Sequence, residues 1–337
     1  MNYEQAMRST WRHAQGRISS DSARLRELVR YATLAPSSHN TQCWRFRVSK
    51  RTISILPDFS RRCPIVDPDD HHLFVSLGCA AENLLQAARA YGFRGTVYFE
   101  PVSDTVRIEL EPAKTAASPL FDAIPKRQST RTEYDGKPLG ATEMKLLETA
   151  GGGETAGILM LTRRSEMESA LDYVVQGNTA QMKDPAFVRE LKSWIRFSDN
   201  EAVRTGDGLF GRASGNPSVP RWLGSPLFGL MFRPRTENDK YARQLRSSAG
   251  VAVFVSDKDD KAHWMEVGRC YERFALQATA LGIRNAFVNQ PVEVASLRPE
   301  FARYLGLDGA RPDLVVRFGR GRDMPRSLRR PVEAVLL

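Results

Sequence analysis

The chain has 337 residues, 42% hydrophobic and 26% charged, ordinary proportions for a globular protein of two medium domains or of one domain with an insertion. Lys and Arg outnumber Asp and Glu by 49 to 39, and the net charge of +10 favours anionic partners. No apolar run nears the roughly 20 residues that cross a bilayer, the N-terminus lacks the apolar core of a signal peptide, and the four cysteines show neither CxxC spacing nor a disulfide framework, so a cytoplasmic protein with no membrane partner is expected.

In chain order, Asp21 is expected to cap a helix over 22–34, whose Leu25, Leu28, Val29 and Ala32 form one apolar stripe. The helix runs into "APSSHN" (35–40), which reads either as a plain turn or as a loop shaped for a polar ligand. Trp44, Phe46 and Val48, then Ile53 and Ile55, alternate like paired strands about Ser49–Lys50. "VDPDDHH" (66–72) reads as a turn and a helix start, where acids favour the helix dipole, in preference to a metal site. A helix over 71–91, strands near 95–100 and 105–110 and a linker at 111–119 follow. The second half opens with a helix at 141–150, a strand at 157–162 and a helix started by a Ser165/Glu168 capping box. Residues 186–236, rich in Gly, Pro and aromatics, read as a lid-like excursion. A helix near 237–248, a strand at 250–256, a helix at 261–281, a strand at 286–289, a helix at 292–304 and a strand at 313–318 complete the chain.

The two halves share a pattern. Residues 77–99, "LGCAAENLLQAARAYGFRGTVYF", align without a gap on 267–289, "VGRCYERFALQATALGIRNAFVN". Gly78 matches Gly268, Glu82 matches Glu272, and Gly92 and Arg94 match Gly282 and Arg284. Each copy reads as a long helix with a glycine stop and a following strand. An α+β fold is expected, with two small sheets packed around shared helices.

"KRQSTRTEYD" (126–135) places Arg127, Ser129 and Arg131 at alternate positions, aimed one way in an extended chain. Two guanidiniums beside a hydroxyl suit a phosphate, although a solvated basic strand gives the same pattern. This segment and "APSSHNTQCWRF" (35–46) together resemble signatures of the FMN-dependent nitroreductase superfamily. In that family the two motifs come from different subunits of a homodimer with FMN between them. Here both lie on one chain. "MRSTWR" (7–12) and "AGGGETAG" (150–157) stand where the opposite pair would be, so one intact and one lost site is implied. The pattern is similar to the twin-domain, Acg-like branch.

The resemblance implies two fused nitroreductase-like repeats forming a pseudo-dimer, residues 1–115 and 116–337, the second carrying a lid-like insertion at 186–236. It implies FMN held by Arg127, Gln128, Ser129 and Arg131 from one side, Arg131 lying near the ring's N1–C2 edge, and by Pro36, Ser37, Ser38 and Asn40 from the other. Asn289 and Gln290 would meet N5 and O4, and Arg329 would add a phosphate contact, with Arg330 as the register alternative. The sequence departs from the family pattern at Cys43, usually proline, and at Gln290, commonly glycine. The implied activity is NAD(P)H-dependent hydride transfer through flavin N5 to nitro, quinone or related electrophiles. No catalytic side chain and no metal are expected, and the flavoprotein is a monomeric pseudo-dimer or a weak homodimer. The alternative is a non-catalytic protein that stores or sequesters FMN under the lid.

Other readings carry less. His39 beside Ser37 and Ser38 has no carboxylate to orient it. Trp194, Phe197, Phe210, Trp222 and Phe228 could cover a flavin or pack together. Neither GxGxxG nor GxxxxGK[ST] occurs. The arginine-rich tail, Arg317 to Arg330, lacks stacking aromatics, so nucleic acid is the weakest reading.

Overall fold

A computed structural model describes residues 1–14, 16, 18 and 20–337, with the backbone alone of Leu230 and Met231. Helix α1 (Tyr3–Thr10), absent from the sequence expectations, is opened by a reciprocal box. Asn2 accepts from the Gln5 N–H and the Gln5 side chain accepts from the Asn2 N–H. Helix α2 (Asp21–Thr33) starts one residue earlier than expected. Ser20 Oγ, not Asp21, accepts the Ala23 amide, and Asp21 becomes a first-turn acid. Strands β1 (Trp44–Val48) and β2 (Thr52–Pro57) pair antiparallel. Helix α3 (His71–Ala90) begins on Asp67, whose two oxygens accept the His72 and Leu73 amides at 2.9 and 3.0 Å. Strands β3 (Phe93–Glu100) and β4 (Thr105–Pro112) complete a four-stranded sheet of order β1-β2-β4-β3.

Helices α4 (Pro119–Ala123) and α5 (Ala141–Gly151) lead to β5 (Ala156–Leu161) and α6 (Arg164–Lys183). The expected Ser165/Glu168 box does not form. Glu166 accepts the Arg163 amide at 3.1 Å, Ser165 falls inside the first turn, and Glu168 pairs with Arg164 and Arg246. Residues 186–236 are largely regular. They fold as α7 (Pro185–Trp194), β6 (Ile195–Arg196), α8 (Asp199–Thr205), β7 (Leu209–Phe210) and α9 (Arg221–Met231), with β6 and β7 forming a short parallel ladder. Helix α10 (Pro234–Arg246), β8 (Gly250–Ser256), α11 (Lys261–Ala280) and β9 (Arg284–Phe287) follow. The single helix expected over 292–304 is broken at extended Val294 into α12 (Gln290–Glu293) and α13 (Arg298–Tyr304). Pro299 sits in the first turn of α13, where its missing N–H costs nothing. Strand β10 (Arg311–Gly319) closes a second sheet of order β5-β8-β10-β9.

The result is a mixed α+β fold of small sheets and many helices. Helix α3 packs on the first sheet, α11 on the second, and the two helices cross between them within one continuous core. The crossing explains the matched glycines: a Cβ on Gly78 would be driven into the Met265 carbonyl, and one on Gly268 into the Val75 carbonyl. Only glycine allows the two backbones so close. A second apolar layer, including Leu171, Val174, Leu245 and Phe301, covers the other face of the second sheet under α6 and α10.

Candidate functional site

Two adjoining hollows lie where the α2–β1 loop, the segment before α5 and the C-terminal tail meet. The smaller, about 70 Å³, is lined by Pro36, Ser37, Asn40, Arg127, Gln128, Ser129, Arg131 and Arg329, together with Trp11 and Arg326. The larger, about 630 Å³, shares Pro36, Ser37 and Arg131 and adds Ser38, His39, Asn289 and Gln290. Every site residue expected from the sequence therefore stands on one or both walls.

The loop is shaped by its backbone. His39, Asn40 and Gln42 all have left-handed φ values, 50°, 55° and 55°. Ser37 Oγ accepts the Gln42 amide at 2.9 Å, closing the bend. Asn40 Nδ2 donates to the carbonyls of Gly208 and Leu328 at 3.0 and 3.1 Å, while its Oδ1 is buried without a partner. The arginine segment is fixed by β9: Ser129 bridges Asn285, and the Thr130 amide donates to the Asn285 carbonyl at 2.8 Å. Ser129 Oγ is also buried and unpartnered. Strict alternation would turn Gln128 away, yet it lines the smaller hollow, held by donation to the Met324 and Pro325 carbonyls.

Arg127 is 2% exposed, donates to the Leu34 carbonyl at 2.9 Å and lies 3.0 Å from Glu272. Arg329 donates to the carbonyls of Thr33, Leu34 and Ala35 at 3.0, 3.2 and 2.9 Å, so both guanidiniums converge on the C-terminal end of α2. Arg330, the register alternative, turns to the Ala334 carbonyl instead. Burial, then proximity to Arg127, pushes Arg329 down to about 9, and burial also lowers Arg131. Glu272 is fully buried and raised to about 7, with Arg127 and Arg329 opposing the shift. Four arginines thus face a hollow backed by one reluctant carboxylate, an excess of positive charge that an anion relieves. Glu272, Trp11 and Arg326 escaped the sequence reading as site residues. The signal for Glu272 was there, a carboxylate on an apolar helix face in both copies.

In the larger cavity Gln290 is 7% exposed with Oε1 unpartnered, whereas Asn289 Oδ1 is engaged by the Val315 amide at 2.9 Å. Residues of 186–236 supply an apolar wall, including Phe187, Phe197 and Phe228, and Gln181, Asn178 and Glu293 a polar one. The expected aromatic cover divides. Phe210 packs on Tyr3 at 4.8 Å, Trp194 lies under the Arg61 and Arg196 guanidiniums, and Trp222 is 77% exposed. Asp207 pairs with Arg61 and Arg196, and the Gly208 amide donates to the Asn40 carbonyl at 3.1 Å, tying this segment to the loop.

Ser38 Oγ stands 3.4 Å from His39 Nδ1, among the described residues no carboxylate backs the ring, and burial, then Arg131 and His72, holds His39 down to about 4. The ring is a neutral polar group at pH 7. Asp67, His71 and His72 do come together, but Asp67 caps α3 and His71 Nε2 lies 2.9 Å from Asp313. In the tail, Arg317 is buried against the Thr130 and Thr132 carbonyls, and Arg326 donates to those of Pro125 and Lys126.

No protein-family model matches the chain. It is 25% identical over 313 residues to "Putative NAD(P)H nitroreductase Rv3131" of Mycobacterium tuberculosis strain H37Rv, covering 89% of this chain and 86% of that protein. It is 22% identical over 325 residues to "Putative NAD(P)H nitroreductase acg" of the same strain, covering 92% and 94%. Among solved structures, a nitroreductase with bound FMN from Bacteroides fragilis NCTC 9343 is similar at 16% identity and a TM-score of 0.36, covering 61% of this chain and 90% of that one. Along most of its length the chain is thus similar to two mycobacterial proteins that bear the name NAD(P)H nitroreductase, one of them Acg.

Proposed function

We propose that the protein is a cytoplasmic FMN-binding, NAD(P)H-dependent oxidoreductase. In this reading residues 1–115 and 116–337 are fused nitroreductase-like repeats, and residues 186–236 are the lid over one site. The observation that carries it is the smaller hollow: four guanidiniums around buried, unpartnered Ser129 Oγ and Asn40 Oδ1, opening on a cavity of about 630 Å³. Unpartnered buried polar atoms are costly, and a polar ligand removes the cost.

Arg127, Gln128, Ser129 and Arg329 would hold the phosphate and ribityl chain, with Pro36, Ser37, Ser38 and Asn40 on the opposite wall and Asn289 and Gln290 at the ring edge. When bound, FMN supplies a hydride acceptor and donor between NAD(P)H and a nitro, quinone or related electrophile. Arg131 supplies positive charge at the pyrimidine edge. It is half-buried and its desolvation lowers its pKa, so added negative charge on the ligand is stabilised there. Phe197 and Phe228 exclude water, and no side chain is needed as acid or base.

The second reading, FMN storage, draws on the ties between residues 206–208 and the loop. Asp207 pairs with Arg61, and Gln42 Nε2 donates to the Gly206 carbonyl at 2.9 Å, which favours a closed lid. Anaerobic titration separates the two. The oxidoreductase bleaches its flavin absorption with NADH or NADPH and recovers it on adding menadione or a nitrofuran. A flavin that only dithionite reduces favours storage. A colourless chain that takes up no FMN, or an Arg127→Ala/Arg131→Ala variant with unchanged FMN affinity, overturns both.

A further inference from the structure

We propose that the outer face of α9 docks the protein on an anionic lipid surface. Trp222, Leu223 and Leu227 are 77%, 38% and 37% exposed, and with exposed Pro226 they share one side of the helix. The opposite side is already packed. A Cβ on Gly224 would press into the Phe197 ring, and Phe228 stacks on Phe232 at 4.4 Å. The helix is apolar on both sides, and only the inner one is satisfied.

Charge names the partner. From Gly208 to Thr236 the sequence holds four arginines, Arg212, Arg221, Arg233 and Arg235, and no carboxylate. Arg221 leads into α9, paired with Glu201 at 2.6 Å but still 44% exposed, while Arg233 and Arg235 follow the helix at the surface. Tryptophan and leucine flanked by arginine is the composition that settles at the boundary of headgroups and acyl chains, and anionic headgroups strengthen it. A second copy of this chain is the poorer occupant, because two such faces bring like charges together on a protein already at +10. Among the described residues no helix is long and apolar enough to span a bilayer, so the contact is peripheral, a class that a search for membrane-crossing runs does not reach.

Leu227 also lines the larger cavity. A lipid-soluble electrophile leaving the bilayer beside α9 would therefore meet the cavity wall first. That last step rests on the proposed oxidoreductase reading; the docking does not.

Flotation of the full chain with vesicles tests it, using phosphatidylcholine alone and phosphatidylcholine with phosphatidylglycerol. The bound fraction is expected to rise at least tenfold with the anionic lipid and to fall with added salt. Trp222→Ser/Leu223→Ser/Leu227→Ser should lose at least tenfold with an unchanged melting temperature, and Arg233→Gln/Arg235→Gln should lose the anionic preference. Brominated acyl chains should quench tryptophan fluorescence in the parent chain and not in Trp222→Phe, a readout taken on folded protein. A parent chain that never floats, a triple-serine variant that floats as the parent does, or quenching that persists in Trp222→Phe overturns the proposal. So does a triple-serine variant that only dissolves a dimer. Flavin is quantified in the same samples: a flavin-free chain that floats sinks the oxidoreductase reading and leaves this one standing.

Discussion

Ser129 Oγ is a buried hydroxyl with nothing to bond, on the wall of a hollow ringed by arginines. An orphaned polar atom of this kind costs about 1–3 kcal/mol. Ser129→Ala should leave the flavin-free chain as stable or slightly more so, while FMN affinity falls about tenfold. Melting curves with and without FMN read both effects, and equal loss in the two would mean that Ser129 is merely structural. His39 makes a complementary case. Its folded pKa of about 4 lies below the ordinary 6.5, so as pH falls the unfolded chain binds the proton first. The stability contributed by the neutral ring is complete above about 6.5 and is lost on the way down to 4, up to about 3 kcal/mol. Asp67 and Glu272, both raised to about 7, push the other way in that window, so the comparison must be with His39→Asn, which tolerates the left-handed backbone. The variant should show a flatter acid limb in thermal melts, and identical limbs would remove His39 from the account. The two loops were legible because each packs its polar groups into a few consecutive residues. Glu272 was not, because its partner Arg127 lies far away along the chain and the packing of α4 against α11 brings them together.

At the scale of elements, α1 is one piece the sequence reading missed, although Asn2 and Gln5 carry a recognisable capping box. The helix closes the smaller hollow from outside. Tyr3 Oη donates to the Arg326 carbonyl and accepts the Arg326 amide, both at 2.8 Å, and Trp11 lies beneath the guanidiniums of Arg326 and Arg329. Tyr3 and Ala6 share a small apolar cluster with Ala202, Phe210 and Leu328, separate from the main core. Deleting residues 1–11 should therefore leave the sheets intact but speed FMN release about tenfold or more, as a loss of roughly 1.4 kcal/mol or more of closure would do. The same deletion should expose residues 199–219 to protease. Unchanged release and cleavage would mean that α1 only decorates the surface. The helices of 186–236 were illegible for a different reason. Gly224, Pro226 and Gly229 within α9 argue locally against a helix, and short helices take their stability from what they pack on.

For the whole molecule, the crossing of α3 and α11 sets what the chain can hold. Gly78→Ala or Gly268→Ala forces a methyl into a partner carbonyl, and overpacking of this kind should cost about 3 kcal/mol or more, visible as a lowered urea midpoint. The same crossing places Glu82, the counterpart of Glu272, beside Arg273 at 3.1 Å and Arg269 at 3.4 Å, while Glu272 itself meets Arg127 from the segment after α4. Arg273 donates to the carbonyls of Ala150 and Gly152 at 3.2 and 2.9 Å, just as Arg127 and Arg329 donate at the end of α2. The guanidinium at the second place thus comes from the crossing helix itself. A Cβ on Gly153 would strike Cys270 Sγ at 2.7 Å and Glu266 Oε1 at 2.9 Å. That ground is filled by protein side chains, with Glu82 and Glu266 paired to Arg269 and Arg273. Titration with FMN followed by fluorescence quenching should accordingly end at one flavin per chain. An endpoint at two would require the Glu82, Arg269 and Arg273 network to open, and the reading of one kept and one lost site would fail with it.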